Sequence, residues 1–297
     1  MDTIKNARLR DLLKRPGALV AAGAYDCVSA IIAQKCGFEA VYMTGNGVAA
    51  SHIGRADIGL TTMTEMVDRA RLMAESLDVP LISDADTGFG NVSNVFRCVR
   101  EYEAAGVSAI HLEDQTTPKK CDAIDGYTLI PAEEMVEKIR AAVKARRDPN
   151  FVIIARTDAL PILGFDEALR RSKLYARAGA DIIFPDLLTT REEILSVTTG
   201  VDAPILFDIF EQHYGQPTFT VSQLEGLGVK VIIHCLSAMF FMCKQLTRLY
   251  THLRENGSSN GMIEELMPLH DYEALMGLED ALKFEREHTT NSAVAEA

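Results

Sequence analysis

Short, almost wholly apolar runs alternate with longer stretches of mixed polarity along most of the chain. The apolar runs have the length of buried strands, and their lack of polar positions is typical of strands covered on both faces. In the longer stretches, apolar residues recur three and four positions apart, which predicts amphipathic helices. The predicted strands are residues 18–22, 38–43, 80–83, 109–112, 151–155, 182–184, 203–207 and 229–234. The predicted helices are residues 9–14, 26–36, 63–77, 92–105, 131–145, 166–178, 222–227, 238–253 and 274–284.

Eight short buried strands separated by helices predict a parallel sheet closed into a (β/α)8 barrel. A doubly wound open sheet is the alternative, and it is disfavoured because no G-x-G-x-x-G follows the first strand. We expect one barrel domain over residues 1–297, with a C-terminal helical extension from about residue 254. The extension exceeds what a barrel needs, so we expect it to pack on a neighbouring subunit, with residues 289–297 frayed.

Composition narrows the class of protein. The formal net charge of -12 disfavours nucleic-acid binding, which needs a basic surface. None of the six cysteines forms a C-x-x-C pair, so zinc or thioredoxin-like chemistry is not indicated. The N-terminus has an acid and no apolar h-region, and no apolar run is long enough to cross a bilayer. We therefore expect a cytoplasmic protein with no membrane partner.

One stretch, residues 110–122, begins as a buried strand and continues as a polar loop. In order it supplies Glu113, Lys119, Lys120 and Cys121. This set suits chemistry on a metal-bound anion, since a carboxylate holds the ion, ammonium groups hold the substrate and a thiol moves a proton. A surface loop with a chance cysteine is the alternative interpretation.

Polar residues also end the other predicted strands, and in a barrel the strand ends converge on one mouth. The residues expected there are Tyr42, Thr44, Gly45, Asn46, Asp57, Asp84, Asp86, Glu113, Arg156, Asp186 and Asp208. Carboxylates grouped at one mouth repel each other unless a cation lies among them. Oxygen ligands favour Mg²⁺, or Mn²⁺, over zinc. Arg156 is suited to bind a carboxylate with two hydrogen bonds. A cap or turn role is the alternative for any single aspartate.

His111 precedes Glu113 by two positions, so both side chains are expected to face the mouth. His111 either orients a ligand or is a histidine of the core.

Six stretches of the sequence carry a family resemblance. They are residues 23–26, 42–47, 84–90, 111–115, 119–121 and 155–159. At these positions the chain resembles the isocitrate lyase/phosphoenolpyruvate mutase superfamily, and within it the 2-methylisocitrate lyase branch most. The stretches follow the order of the family over nearly the whole chain.

The resemblance implies a (β/α)8 barrel that exchanges its last barrel helix between the subunits of a homotetramer. The implied metal ligands of Mg²⁺ are Asp86 directly and Asp57, Asp84 and Glu113 through water. The predicted substrate-binding residues are Thr44, Gly45, Asn46, His111, Lys119, Arg156 and Asp208. A 2-oxo acid is expected on the ion, and Cys121 is expected to protonate the other fragment after carbon–carbon cleavage.

Five positions depart from the pattern of the family's lyases in the part of the site that receives the second fragment. Asp122 and Ala123 replace Gly and His, Asp208 and Phe210 replace Asn and Thr, and Phe240 stands where an Arg is expected. A metal-side Glu is also shortened to Asp186. Because cationic and neutral donors are lost, we expect the second fragment not to be succinate.

These residues predict a Mg²⁺-dependent lyase that splits a 2-hydroxy acid by retro-aldol chemistry into pyruvate or glyoxylate and a second acid. Cys121 is the expected general acid, and Tyr42 or a metal-bound water takes the hydroxyl proton. Three alternatives remain: a hydrolase or decarboxylase of oxaloacetate-like acids, a phosphonopyruvate-type mutase or hydrolase, and a non-catalytic ligand-binding barrel.

Overall fold

The computed structural model describes residues 2–121, 124, 126–210 and 219–289. Two compact units divide the chain, and the first ends at Phe240 while the second begins at Phe241. Strands β1 to β8 are Leu19–Ala24, Ala40–Met43, Leu81–Asp84, Ala109–Glu113, Val152–Thr157, Ile182–Pro185, Leu206–Asp208 and Val231–His234. Helices α1 to α13 are Thr3–Lys14, Cys27–Lys35, Gly45–Val48, Met63–Glu75, Val92–Ala104, Ala132–Ala145, Leu160–Leu163, Phe165–Ala178, Arg191–Gly200, Val221–Gly226, Ser237–Asn256, Leu269–Leu275 and Leu278–His288.

The eight strands form one parallel sheet in the order β6-β5-β4-β3-β2-β1-β8-β7. A parallel bridge between Ile183 and Ile205 joins the two outer strands of that order. The sheet is therefore a nearly closed barrel with helices around it, and the predicted (β/α)8 fold is confirmed.

Alternation along the strands divides the apolar residues into an inner and an outer layer. The inner layer includes Ala21, Ala40, Ile82, Val152, Ile182, Leu206 and Ile233, all buried. Leu9 and Leu12 of α1 belong to the same cluster. Arg10 donates to the backbone oxygen of Asn150 just before β5, so α1 covers the amino-terminal end of the barrel. The opposite end, where the strands finish, is left for the site.

The same alternation places charged side chains at the upper end of the barrel interior. Ile82 faces inward, so Asp84, two positions later, continues the inward row at the end of β3. Ile154 and Arg156 stand in the same relation on β5. On β3 and β5 the apolar filling therefore gives way to a charged side chain at the next inward position.

Helix α9 follows the sixth strand, where the sequence analysis placed no helix. Its few apolar residues gave no clear helical period, yet Thr190 and Glu193 form a capping box at its start. That spacing of a threonine and a glutamate was the available signal.

Two of the predicted helices have different bounds in the structure. Helix α1 begins at Thr3 rather than at residue 9, with the Asp2 side chain accepting from the Lys5 backbone. The predicted helix over residues 274–284 is two helices, α12 and α13, separated at Gly277, whose φ of 74° is left-handed.

The extension predicted from about residue 254 stays a prediction, as does the exchange of a helix between subunits. Within the second unit, Arg248 forms ion pairs with Glu265 and so links α11 to a short 3-10 turn at Ile263–Glu265. Across the described residues, no helix is both long and apolar enough to cross a membrane.

Candidate active site

Four carboxylates predicted as metal ligands are buried: Asp84, Asp86 and Glu113 at the ends of β3 and β4, and Asp57 in the connection between β2 and α4. The Nζ atom of Lys119 lies 2.7 Å from the Asp57 carboxylate and 2.9 Å from Oδ1 of Asp86. Asp84 Oδ1 accepts a 2.8 Å hydrogen bond from the backbone nitrogen of Asp86. One ammonium group therefore bridges two of the acids, and the backbone orients a third.

The backbone around Asp84 and Asp86 has a conformation that few residues adopt. Asp86 has a φ of 46°, in the left-handed region, which an aspartate tolerates better than most side chains. A Cβ atom at Gly45 would lie 2.2 Å from Asp84 Oδ2, so only glycine fits there. The left-handed backbone explains why position 86 is an aspartate, and the close contact with Asp84 explains why position 45 is a glycine. Strained backbone positions of this kind concentrate at functional sites.

The cluster carries more negative charge than its surroundings neutralise. Burial raises the pKa of Asp86 to about 7. Burial also raises the pKa of Glu113 well above its usual value, and Glu113 Oε1 has no hydrogen-bond partner among the described residues. At Asp84, burial is outweighed by His111, the Lys119 ammonium and the Asp86 backbone N–H, so the pKa of Asp84 is lowered. A further cation would relieve the remaining excess.

The donor set fits Mg²⁺ better than zinc. It consists of carboxylate oxygens, one of which, Glu113 Oε1, is buried without a donor among the described residues. All four predicted ligands are carboxylates, whereas thiolate and imidazole are the ligands most typical of zinc. Zinc sites need three or four such ligands, whereas Mg²⁺ binds through one or two carboxylates and keeps several waters.

Tyr42 and His111 form a pair beneath the carboxylates. The Tyr42 hydroxyl lies 2.8 Å from His111 Nε2, and the two rings stack with centroids 5.7 Å apart. Burial lowers the pKa of His111 to about 4, so the imidazole is neutral near pH 7. Burial raises the pKa of Tyr42 well above its usual value, so the phenol keeps its proton. His111 is thus a buried core histidine that contacts Tyr42, and its role in orienting a ligand stays a prediction.

Arg156 stands at the end of β5 between two aspartates. Its Nε donates to Asp158 Oδ1 at 2.6 Å, and its Nη2 lies 2.6 Å from Asp186 Oδ2. The guanidinium carbon lies 5.1 Å from the ring centroid of Phe184, and Nε lies 3.7 Å from Glu113 Oε2. Asp186, which was expected on the metal side of the site, is an ion-pair partner of Arg156 in this structure.

The loop that follows β4 covers the carboxylates. Its two ends are joined by a bridge between Gln115 and Leu129. The half-buried Cys121 donates its backbone N–H to the Asp57 backbone oxygen at 2.9 Å. A Cβ atom at Gly59 would lie 2.9 Å from the Lys119 backbone nitrogen, so the loop packs directly against backbone there. Asp122 and Ala123 lie outside the described residues.

A small cavity opens between the loop and the barrel. Its lining residues are Tyr42, Thr44, Asn46, Asp57, Asp84, Glu113, Lys119, Lys120, Cys121, Arg156, Asp208, Phe210, Cys235 and Leu236. Most predicted site residues are thus brought together. Gly45, Asp86 and His111 are not among the lining residues: Gly45 contacts Asp84, Asp86 contacts Lys119, and His111 contacts Tyr42.

Two lining residues were missed by the sequence analysis. Cys235 was not among the predicted site residues, but its thiol lies 3.2 Å from the Thr44 hydroxyl and its backbone N–H donates to Asp208 Oδ1 at 3.2 Å. Leu236 follows it in the chain. Phe210 stacks on Phe240 with centroids 6.3 Å apart, which gives that side of the cavity an aromatic wall.

A buried network beneath Arg156 fixes the loop side of the site. Asp114 Oδ2 accepts from Thr157 at 2.7 Å, from Tyr175 at 2.6 Å and from Arg171 Nη1 at 2.9 Å. Asp114 Oδ1 accepts from the backbone nitrogen of Asp158 at 3.0 Å. The strand end that carries Arg156 is therefore tied to α8.

Replacing Arg171 by leucine is expected to lower the free energy of unfolding by about 3 kcal/mol, because it leaves the Asp114 carboxylate buried without its counter-ion. Urea unfolding followed by circular dichroism measures the change. Arg170→Leu is the matched control, since its neighbouring but exposed pairs with Glu167 are worth about 1 kcal/mol or less. Equal losses for the two variants would contradict the assignment.

Comparison with known proteins places this chain among a group of related enzymes. A family model described as phosphoenolpyruvate phosphomutase matches residues 9–254. The chain is 43% identical over 284 residues to the 2,3-dimethylmalate lyase of Eubacterium barkeri, covering 96% of this chain and 98% of the relative. It is 39% identical over 280 residues to the 2-methylisocitrate lyase of Aeropyrum pernix, covering 94% and 89% of the two chains.

Solved structures agree with the sequence relatives. Oxaloacetate acetylhydrolase bound to the inhibitor 3,3-difluorooxalacetate superposes with a TM-score of 0.92 at 30% identity, covering 98% of this chain and 99% of that one. A phosphonopyruvate hydrolase with oxalate and Mg²⁺ superposes with a TM-score of 0.86 at 31% identity, covering 97% and 99%. The matches therefore span almost the whole of every chain.

Proposed function

Because this chain belongs to the phosphoenolpyruvate mutase/isocitrate lyase superfamily, we propose that it is a Mg²⁺-dependent carbon–carbon lyase of 2-hydroxy carboxylic acids. The observation that carries the proposal is one cavity whose wall contains Arg156, the carboxylates Asp84 and Glu113, and the loop thiol of Cys121. Release of pyruvate from 2-hydroxy diacids, followed with lactate dehydrogenase, tests it. No release from any of them in saturating Mg²⁺ would contradict it.

Asp86, Asp84, Glu113 and Asp57 would hold the ion, and Mn²⁺ would suit the same oxygen atoms. When bound, Mg²⁺ supplies positive charge that stabilises the developing oxo acid. Arg156 binds the substrate carboxylate next to it, while Asp158 and Asp186 keep the guanidinium in place. The oxo acid is also held by the residues that directly follow β2, which are Thr44, Gly45 and Asn46.

Tyr42 takes the proton of the substrate 2-hydroxyl. As that proton arrives, the phenol passes its own proton to Nε2 of the neutral His111, 2.8 Å away. The phenol never ionises in this exchange, which agrees with a pKa that burial raises well above the usual value for Tyr42. Asp84, whose Oδ1 lies 3.7 Å from Nε2, stabilises the protonated imidazole.

Cleavage then breaks the bond between C2 and C3 of the substrate. The hydroxyl oxygen becomes the oxo oxygen at C2, and the electron pair of the broken bond moves to C3. Cys121 donates its thiol proton to C3, which releases the second acid and leaves a thiolate close to Lys119. The proton on His111 returns through Tyr42 to solvent or to the thiolate, so that the enzyme is restored.

The cavity wall near C3 and its substituents favours alkyl groups. Phe210 and Leu236 line this wall, and Phe240 supports Phe210 from behind. Asp208 adds a negative charge and is held by the Cys235 backbone. We therefore assign the substrate to the class of 2,3-dialkyl malates, in agreement with the 2,3-dimethylmalate lyase relative.

We expect 2,3-dimethylmalate to be cleaved with a higher kcat/KM than 2-methylisocitrate. The additional carboxylate of the tricarboxylate would lie near Asp208, and desolvated like charges cost on the order of several kcal/mol. A methyl group against Phe210 gains only about 1 kcal/mol, so rejection of the tricarboxylate is the larger effect. Parallel kinetics in saturating Mg²⁺ measure both. A preference for 2-methylisocitrate would show that the aromatic wall is misassigned.

A hydrolase of oxaloacetate is the second candidate, favoured by the TM-score of 0.92 with oxaloacetate acetylhydrolase. The residues that bind the oxo-acid part of the substrate would serve both the lyase reaction and the hydrolysis of oxaloacetate. Incubation with oxaloacetate and assay of oxalate and acetate separates the two, because a lyase releases neither.

We also propose that the protein is a homotetramer whose subunits exchange a helix, and that it is cytoplasmic. Its only proposed partner besides Mg²⁺ is a small carboxylic acid. These proposals rest on the family resemblance. Light scattering of the purified protein tests the assembly.

A further inference from the structure

The Gln115 side chain joins the loop that carries Cys121 to the strand end that carries Arg156. Gln115 is fully buried. Its Nε2 donates to Asp158 Oδ2 at 2.6 Å and to the Lys120 backbone oxygen at 2.8 Å. Its Oε1 accepts from the Lys120 backbone nitrogen at 2.9 Å. A single amide thus reaches both halves of the proposed site.

The orientation of this amide is fixed by its partners. Two acceptors, Asp158 Oδ2 and the Lys120 oxygen, face the nitrogen, and one donor faces the oxygen. A reversed amide would set oxygen against two acceptors and nitrogen against an N–H group. Because glutamine uses both of its donors here, a glutamate or an apolar side chain cannot reproduce the contacts.

The two ends of the bridge lie next to reacting groups. Asp158 uses its other oxygen, Oδ1, to accept from Arg156 Nε at 2.6 Å. Lys120 is bonded to Cys121, whose own backbone is held by Asp57. A chain of short contacts therefore runs from the guanidinium, through Asp158 and Gln115, to the residue before the thiol.

We propose that Gln115 is a positioning residue that sets the distance between the thiol of Cys121 and the carboxylate-binding guanidinium of Arg156. The inference rests on the proposed function, in which one group holds the oxo acid while the other protonates the departing carbon. A general acid must lie within hydrogen-bond reach of its target atom, and small displacements carry large losses in rate. Gln115 meets this demand by linking the two groups through the protein rather than through the substrate.

Gln115→Met tests the bridge, because methionine has a similar length and none of the polar atoms. In this variant kcat is expected to fall by about tenfold or more while KM stays within about threefold, since the loss affects orientation more than binding. Alkylation of Cys121 by iodoacetamide, followed by mass spectrometry of its peptide, is expected to accelerate by about tenfold, the scale of one or two lost hydrogen bonds.

Thr116→Val is the matched control. Thr116 lies in the same loop, and its hydroxyl meets only the Thr128 hydroxyl and backbone in the contacts that the structure shows among the described residues. It loosens the base of the loop without touching Asp158 or Lys120. Alkylation of Cys121 in this variant is expected to remain within about twofold of the wild type, less than the effect of one hydrogen bond. If Thr116→Val and Gln115→Met behaved alike, Gln115 would be a support of the loop and the inference would be overturned.

Oxalate with Mg²⁺ serves as a probe that needs no turnover. Calorimetry is expected to show weaker oxalate binding in Gln115→Met by a few-fold, because Asp158 loses a donor and Arg156 a fixed partner. Unchanged alkylation together with unchanged oxalate affinity in a folded variant would overturn the inference. If Gln115→Met does not fold, Gln115→Asn, which is one methylene too short to span both partners, replaces it under the same criteria.

Alkylation and oxalate binding also separate this inference from the proposed function. A wild-type protein that cleaves no 2-hydroxy acid would contradict the lyase assignment, whereas the Gln115 variants would still report whether Cys121 and Arg156 are coupled.

Discussion

Asp86→Ala is expected to abolish Mg²⁺ binding and to reduce turnover by about 10³-fold or more, since Lewis-acid stabilisation of the developing charge contributes several kcal/mol. Asp86 is the buried acid that contacts Lys119 and whose backbone orients Asp84. Isothermal titration with Mg²⁺ and the pyruvate-release assay measure the two losses. Full turnover in the presence of EDTA would contradict the role of the metal.

Asp86→Asn separates metal binding from the backbone. The φ of 46° at this position suits aspartate and asparagine better than alanine, so part of any loss in Asp86→Ala reflects strain. Asparagine keeps the conformation and the side-chain volume but removes the charge. We expect Asp86→Asn to unfold near the wild-type Tm and still to bind no Mg²⁺. Normal Mg²⁺ affinity in this variant would assign the ion to other carboxylates.

Cys121→Ser is expected to lower kcat by about 10²–10⁴-fold with little change in KM, because a serine hydroxyl is a far weaker acid than a thiol. The backbone N–H of Cys121, not its side chain, donates to Asp57, so the loop should keep its position in the variant. Steady-state kinetics measure both constants.

The exposed Cys36 provides the control for Cys121. Cys36→Ser should retain wild-type kcat, since the residue caps the end of α2 away from the cavity. If Cys121→Ser also kept near-full activity, the departing carbon would receive its proton from another group and the lyase mechanism would need a different acid.

The barrel and the acidic part of the site could be predicted because both depend on local pattern. Apolar runs marked the strands, and in a barrel the residues after each run share one mouth. That rule alone groups Asp84, Glu113 and Arg156, which do line one cavity. Helix α9 was not predicted because its apolar residues show no helical period, although the capping box of Thr190 and Glu193 is visible in the sequence.

Partners distant in sequence could not be predicted. Cys235 meets Thr44 across 191 positions, and Asp158 meets Gln115 across 43. Gln115 and Asp158 lie in stretches that carry the family resemblance, but neither the apolar pattern nor the spacing shows that the two side chains contact each other. Lys119 was expected to bind the substrate. Its ammonium instead contacts both Asp57 and Asp86, because the loop after β4 folds back over these acids.

The joined ends of the loop after β4 affect which sequence changes the protein can accept during evolution. Gln115 pairs with Leu129, and the Thr116 nitrogen donates to the Thr128 oxygen at 2.8 Å, so the segment between them leaves and re-enters the barrel at one point. For such a segment the entropy of closure grows only with the logarithm of its length, by about 0.6 kcal/mol for each doubling.

Lengthening the segment between Thr116 and Thr128 therefore costs the barrel little. Substitution of Lys119 would cost more, because its buried ammonium contacts Asp57 and Asp86. Selection can therefore change the length of this segment while the global stability of the chain stays nearly constant.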